Sequence, residues 1–223
     1  MKQVNIYVEG TGDRIFLANY LKAVLAFKLE VEIGKSERSR QYYFYKEGIE
    51  GEIRCLSGWK TLFDSNFKAD LEMDDEDGIS SLVLVDADFP LDGGFAKRQQ
   101  TITELHYRHL FEVFILPNGA QDGYIETLFK EIITPDCEPI LNCLLEQEKC
   151  IQGADLPAPI RLRLDQEKNL IKKQIAQFRN RLYNQTDKQH VVAEKGFQDP
   201  TIRNLHHPYL NPLKDFLTQH LRP

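Results

Sequence analysis

The chain of 223 residues carries 34 acidic against 28 basic side chains, a net charge of −6, with 42% hydrophobic and 28% charged residues. That length admits one large domain, or one of roughly 130 residues with a smaller appendage. The composition is that of a soluble globular protein and argues against a basic domain that reads DNA sequence, though not against nucleic acid as a substrate. No apolar run is long enough to span a bilayer, and no charged-then-apolar leader precedes the first strand. The expectation is a cytoplasmic protein with no membrane partner.

Val4, Ile6 and Val8 alternate as a strand should, and the run ends in Glu9-Gly10-Thr11-Gly12-Asp13. Gly10 and Gly12 permit a tight strand-to-helix turn, and Asp13 is placed to cap the helix by accepting from an N–H two or three residues on. The helix is expected over Asp13 to Leu29. A polar stretch with Gly34, Lys35, Ser36 and Arg38 follows, then short strands over Tyr42 to Tyr45 and Glu52 to Leu56 around a turn at Gly48–Gly51.

A second helix is expected to open at Ser57-Gly58-Trp59, with Trp59, Leu62, Phe63 and Phe67 on one face. It dissolves into Glu72-Met73-Asp74-Asp75-Glu76-Asp77, which reads as a solvated loop rather than a metal site. Ile79 to Val85 is nearly continuous apolar sequence, as a central parallel strand covered on both faces requires, and it ends in Asp86-Ala87-Asp88. A third helix is expected over Phe95 to His109 and a buried strand over Phe111 to Leu116. A fourth helix is introduced by Asp122 and Gly123, with Glu126 one turn in.

Strand and helix alternate, so the pattern predicts an α/β fold: a mainly parallel, Rossmann-like sheet flanked by helices. Beyond Pro135 helices are expected at about 137–149, 165–184 and 211–221. The domain reading is a 1–133 domain that carries the site, with 134–223 a helical C-terminal extension packed on it.

Cys137, Cys143 and Cys150 are separated by five and six residues, a spacing that matches no usual zinc pair, so these and Cys55 are read as free thiols. His106, His109, His206 and His207 read as structural or surface residues. Tyr7 and Tyr124 read as packing residues.

Acids therefore stand at three strand ends: Glu9, the pair Asp86 and Asp88, and the loop–helix pair Asp122 and Glu126. In a parallel sheet all carboxyl ends lie along one edge, so these groups can converge. Clustered carboxylates raise one another's pKa, and hard divalent cations with oxygen ligands resolve that conflict. The idea requires Glu9 to lie within about 10 Å of Asp86 or Asp88, since shared ions bind at a few ångströms.

The set resembles the Toprim family, the metal-binding fold of topoisomerases, bacterial primases and overcoming-lysogenization-defect (OLD) nucleases. Glu9-Gly10 matches that family's Glu-Gly after the first strand, and Asp86-Ala87-Asp88 its later Asp-x-Asp. Asp13 and Gly123-Tyr-Ile-Glu126 match acids of the OLD-like branch. The segments Phe114 to Glu126 and Asn211 to Leu217 are similar to a small group of stand-alone Toprim-like proteins.

The resemblance implies Mg²⁺-dependent phosphodiester hydrolysis on nucleic acid, DNA favoured over RNA, with Mn²⁺ as a substitute and one or two ions. Glu9, Asp86 and Asp88 would hold one ion, with Asp13 and Glu126 available for a second. A fixed cation is also needed; Lys97, Arg98, Lys188 and Lys195 are candidates, with Lys195 favoured because Gly196 permits close backbone approach. There is no Walker A pattern, so the alternative is a catalytically inert Toprim-like binding module or subunit that needs an ATPase partner. Dinucleotide binding is disfavoured by the missing third glycine after Gly10-x-Gly12. A dehalogenase-like phosphatase would carry its Asp-x-Asp on the first strand, and a glycosyltransferase would leave Glu9-Gly10 unexplained.

Overall fold

The computed structural model describes residues 1–32, 41–90, 93–143, 146 and 202–223. The stretch with Gly34 to Arg38, the helix expected over 165–184, Cys150, Lys188 and Lys195 lie outside them. One compact unit comprises Met1–Leu128 and Leu205–Pro223, and a second comprises Phe129–Asn204. In the second, Ile133 bridges Arg203, whose guanidinium lies over the Phe129 ring.

The first unit is built on a six-stranded α/β sheet. Its strands are β1 (Lys2–Val8), β2 (Lys28–Glu32), β3 (Gln41–Lys46), β4 (Ile49–Cys55), β5 (Ser80–Asp86) and β6 (Glu112–Leu116), in the order β2-β3-β4-β1-β5-β6. β1 lies parallel to both β4 and β5, and β5 parallel to β6, whereas β2–β3 and β3–β4 are antiparallel. The sheet is thus mainly parallel, as the buried apolar strands predict, with an antiparallel edge made by the β2–β3–β4 meander.

Val4, Ile6 and Val8 are fully buried on one face, where helix α1 (Thr11–Leu25) packs. Tyr7, Val83, Val85 and Ile115 point the other way, into a core shared with Leu62, Phe67 and Leu71, of which the last two are on helix α2 (Ser65–Glu76), and with Ile102 of helix α3 (Gly94–Thr103). Each such aliphatic or aromatic side chain contributes about 1.5–3 kcal/mol by leaving water. Helix α4 (Ile125–Glu131) follows β6, and the C-terminal helix Asn211–His220 returns to the sheet through Phe216, whose ring lies 5.4 Å from that of Phe114. The helical stretch at 138–143 and the C-terminal helix fall where the sequence pattern puts them.

Five local expectations are corrected. α1 stops at Leu25 because Ala26 turns left-handed at φ 57°, and Lys28–Glu32 is a strand, not the last turn of the helix. Its Leu-Glu-Val-Glu alternation suits a strand that pairs with β3, and pairing decided a segment whose helical propensity is also good. Asp13 does not cap forwards: Gly10 is the N-cap, and the Asp13 carboxylate accepts from the Gly10 N–H at 2.6 Å, three residues back.

The expected second helix is broken. Trp59–Phe63 is a 3₁₀ turn, and α2 begins afresh where the Asp64 carboxylate accepts from the Asn66 N–H. The acidic run then continues α2 as far as Glu76, and its Asp74 is buried rather than solvated. α3 ends at Thr103, well short of His109. Gly51 is where the backbone needs glycine for room: a Cβ there would run into the Val4 carbonyl and the Phe44 ring.

Candidate functional site at the carboxyl ends of the strands

β1 and β5 are hydrogen-bonded neighbours, so the residues that follow them emerge side by side. Glu9 extends β1 and reaches across to β5, where its Oε2 accepts from the Asp86 N–H at 3.2 Å. The separation on which the acidic cluster depended is therefore met. The Asp86 side chain turns towards α4, and its Oδ1 accepts from the Ile125 N–H at 2.9 Å. That contact ties the start of α4, and Glu126 with it, to the end of β5.

Asp88 follows in a left-handed conformation, φ 64°, one that Asp tolerates better than most side chains. Its backbone makes a two-way bridge with Gly123, accepting from and donating to it at 2.8 and 3.0 Å. A three-residue excursion from β5 is thereby pinned against the loop that leads into α4.

The centre of this rim is a side chain that the sequence offered only as one candidate among four. Arg98, on the first turns of α3, is buried. Its Nε donates to the Asp86 carbonyl at 3.0 Å, and its guanidinium forms an ion pair with the Asp88 carboxylate. The guanidinium face lies 3.5 Å from the centroid of the Trp59 ring, a desolvated cation–π contact worth about 2 kcal/mol. Burial pulls Arg98 below its ordinary pKa, while the charges of Glu9, Asp86 and Tyr124 act in the opposite sense. α3 is itself held at its start by Asp122, whose Oδ1 accepts from the Phe95 N–H at 2.6 Å.

The fold thus gathers Glu9, Asp86, Asp88 and the start of α4 around Arg98. Asp13 has its carboxylate engaged in the first turn of α1. Lys195, the cation favoured on sequence, is outside the described residues, whereas Lys97 has its methylenes beside Gly93. Two contributors take roles other than those expected: Trp59, expected on a helical packing face, carries the Arg98 guanidinium, and Asp122, expected to introduce the fourth helix, holds the start of α3. The signal that singles out Arg98 is non-local, since nothing in Phe-Ala-Lys-Arg-Gln distinguishes it from Lys97.

The donors at this rim are carboxylate oxygens, the chemistry that Mg²⁺ and Mn²⁺ take, and each of the three acids keeps one oxygen on a protein donor. Among the described residues no three His, Cys, Asp or Glu side chains are drawn together tightly enough to hold a metal as they stand. The cation at the centre of the rim is Arg98. A separate open cavity of about 790 Å³ lies on the sheet face around Asn5, Tyr43, Tyr45 and Glu52, and none of the five predicted site acids lines it.

Fold and site together define an α/β protein with an acidic rim at the carboxyl ends of adjacent parallel strands, built around a buried arginine. No protein-family model and no curated protein matches the chain. Among solved structures it is similar to the crystal structure of hypothetical protein PH0156 from Pyrococcus horikoshii OT3, at 16% identity and a TM-score of 0.47 over 98% of this chain and 95% of that one. No helix among the described residues is long and apolar enough to cross a membrane.

Proposed function

We propose that the rim is a Toprim-like phosphoryl-transfer site, and that the protein hydrolyses phosphodiester bonds of nucleic acid, DNA before RNA, with Mg²⁺ or Mn²⁺. The observation that carries this reading is the reach of Glu9 across to Asp86: the acid of the Glu-Gly turn and the first acid of Asp-x-Asp meet, although 77 residues separate them. Glu9, Asp86 and Asp88 would hold the divalent ion, which when bound supplies charge neutralisation for the phosphoryl oxygens. The residues themselves do the positioning. Asp86 holds the start of α4 against β5, and Glu9 holds the two strand ends in register.

With a single ion held by Asp86 and Asp88, Glu9 would act instead as general acid or base at the rim. The second reading, an inert module or subunit that needs an ATPase partner, is favoured by one feature, the Arg98 ion pair that already engages Asp88. A supercoiled-plasmid nicking assay separates the two. Wild type is expected to nick in Mg²⁺ or Mn²⁺, and Asp86→Ala to lose nicking by about 10²–10³-fold, the scale of a lost charge-stabilising group. Wild type that binds Mn²⁺ and leaves DNA and RNA intact would hand the case to the inert module.

A further inference from the structure

A mainly parallel α/β sheet is ordinarily covered by helices on both faces. Here α1 and Phe27 cover one face as far as β3, where Arg14 lies over the Tyr42 ring and Phe27 meets Phe44. On the other face α2 lies over β1 and β5, through the bonds of Asp74 to Asn5, Tyr7 and Ser81. Beside it, over β4 and β3, opens the cavity of about 790 Å³, and among the described residues no helix lines it.

Strand register fixes what this bare face presents. Glu30, Tyr43, Glu52 and Asn5 stand in one row across β2, β3, β4 and β1, and Lys28, Tyr45, Glu50 and Gln3 in the next. By the same alternation β2, β3 and β4 turn four carboxylates to it, Glu30, Glu32, Glu50 and Glu52, against two cations, Lys28 and Arg54. Arg54 is engaged by Glu52 at 2.8 Å, and Lys28 lies over the Tyr45 ring, 5.9 Å from its centroid. Tyr45 is nonetheless 42% exposed. The result is an aromatic strip framed by acids.

Width and charge select what fits there. From β4 to β2 is two strand spacings, about 10 Å, the diameter of one α-helix. The excess of carboxylates repels both a second copy of the same face and a phosphate backbone, and it attracts Lys and Arg.

We infer that the bare face of the β2–β3–β4 meander docks a basic amphipathic helix of a partner protein. The apolar stripe of that helix lies on Tyr43 and Tyr45, and its Lys or Arg side chains reach Glu30 on one side and Glu50 on the other. None of these residues belongs to the acidic rim.

The probes are two fluorescein-labelled peptides of about 20 residues, long enough to hold a helix. Both carry a leucine stripe, flanked by lysines in one and by glutamates in the other. Fluorescence anisotropy reads their binding to the full chain. The lysine peptide is expected to bind wild type at least about tenfold more tightly than the glutamate peptide. Glu30→Lys with Glu50→Lys is expected to weaken the lysine peptide about tenfold, and Tyr45→Thr about fivefold. Glu104→Lys with Glu112→Lys makes the same charge change on exposed residues at α3 and β6, the opposite side of the sheet, and is expected to stay within about twofold.

A lysine peptide that binds wild type no more tightly than the glutamate peptide would overturn the inference. An equal loss in the Glu104 and Glu112 variant would do the same, since it would reveal attraction to the net charge of the chain alone. Full binding by both face variants would also overturn it, and if one of them folds poorly the other decides. A wild-type dimer in sedimentation equilibrium that Tyr45→Thr breaks would give the face to a second copy instead. Plasmid nicking is expected to be unchanged in every variant, so none of these outcomes touches the nuclease reading.

Discussion

Two acidic groupings in this protein, the buried Asp74 and the Asp86–Asp88 pair, are handled in opposite ways. Asp74, on the last turns of α2, lies beneath the earlier part of β1 and β5. There it accepts from Asn5 Nδ2 at 2.8 Å, from the Tyr7 hydroxyl at 2.8 Å and from the Ser81 hydroxyl at 2.7 Å, with Arg54 at 4.0 Å. Neutral donors from two adjacent strands converge on a single carboxylate of the helix, and these four side chains are out of water. Burial, then the hydrogen bond to Asp74, pushes the Tyr7 hydroxyl above its ordinary pKa, so it remains a donor.

Further along the same two strands, Glu9, Asp86 and Asp88 accept from backbone N–H groups and from one guanidinium. The first arrangement is saturated and closed. The second is a set of acids held in place with positive charge between them. Buried polar groups fully met by protein donors specify and stabilise a core, whereas charges gathered at a strand rim suit an ionic ligand.

If this contrast is right, substitutions at the two places should separate activity from stability. The largest effect is expected at the rim. Glu9→Gln should lower metal-dependent nicking by about 10²-fold, and should shift stability by less than about 1 kcal/mol, because the amide oxygen can still accept from Asp86. Mn²⁺ binding that is unchanged in this variant would remove Glu9 from the site.

Asp74→Ala should do the reverse. It strands the Asn5, Tyr7 and Ser81 donors in the core, at about 3 kcal/mol of stability in urea unfolding. Nicking per folded molecule should be unaltered, and a loss of nicking in the folded fraction would mean that the two regions are coupled.

The smallest effect lies at the amino-terminal end of β1, where Lys2 donates to the His220 and Arg222 carbonyls. Burial, opposed by Glu112 and assisted by Lys2, holds the His220 imidazole below its ordinary pKa. The folded state therefore prefers neutral His220. Its contribution is complete above about pH 6.5 and is lost as pH falls below that value. His220→Gln should flatten this part of the stability–pH curve between about pH 7.5 and about pH 5.5, as read from urea midpoints. Parallel curves for the two proteins would show that the imidazole contributes nothing there.

The sheet was legible from residues close together in the chain. Period-two alternation marked β1, the continuous apolar run marked β5, and glycines marked the turn after Glu9, because each is a local consequence of backbone geometry. β2 was missed because Lys28 to Glu32 suits helix and strand almost equally, and only pairing with β3 decides it. Asp74 was misread for a related reason. In the sequence it is one of several adjacent acids, and its three donors come from Asn5, Tyr7 and Ser81, far away in the chain.

Residue order alone determined that acids would stand at strand ends, since a strand's last residue and the turn after it are neighbours by covalent bonding. The tertiary structure decided that β5 lies beside β1, which sets Glu9 against Asp86. It also decided that Arg98, and not its neighbour Lys97, is buried among them. Strand pairing and the burial of one arginine against a tryptophan 39 residues away are settled by long-range packing, which periodicity within a single segment does not carry.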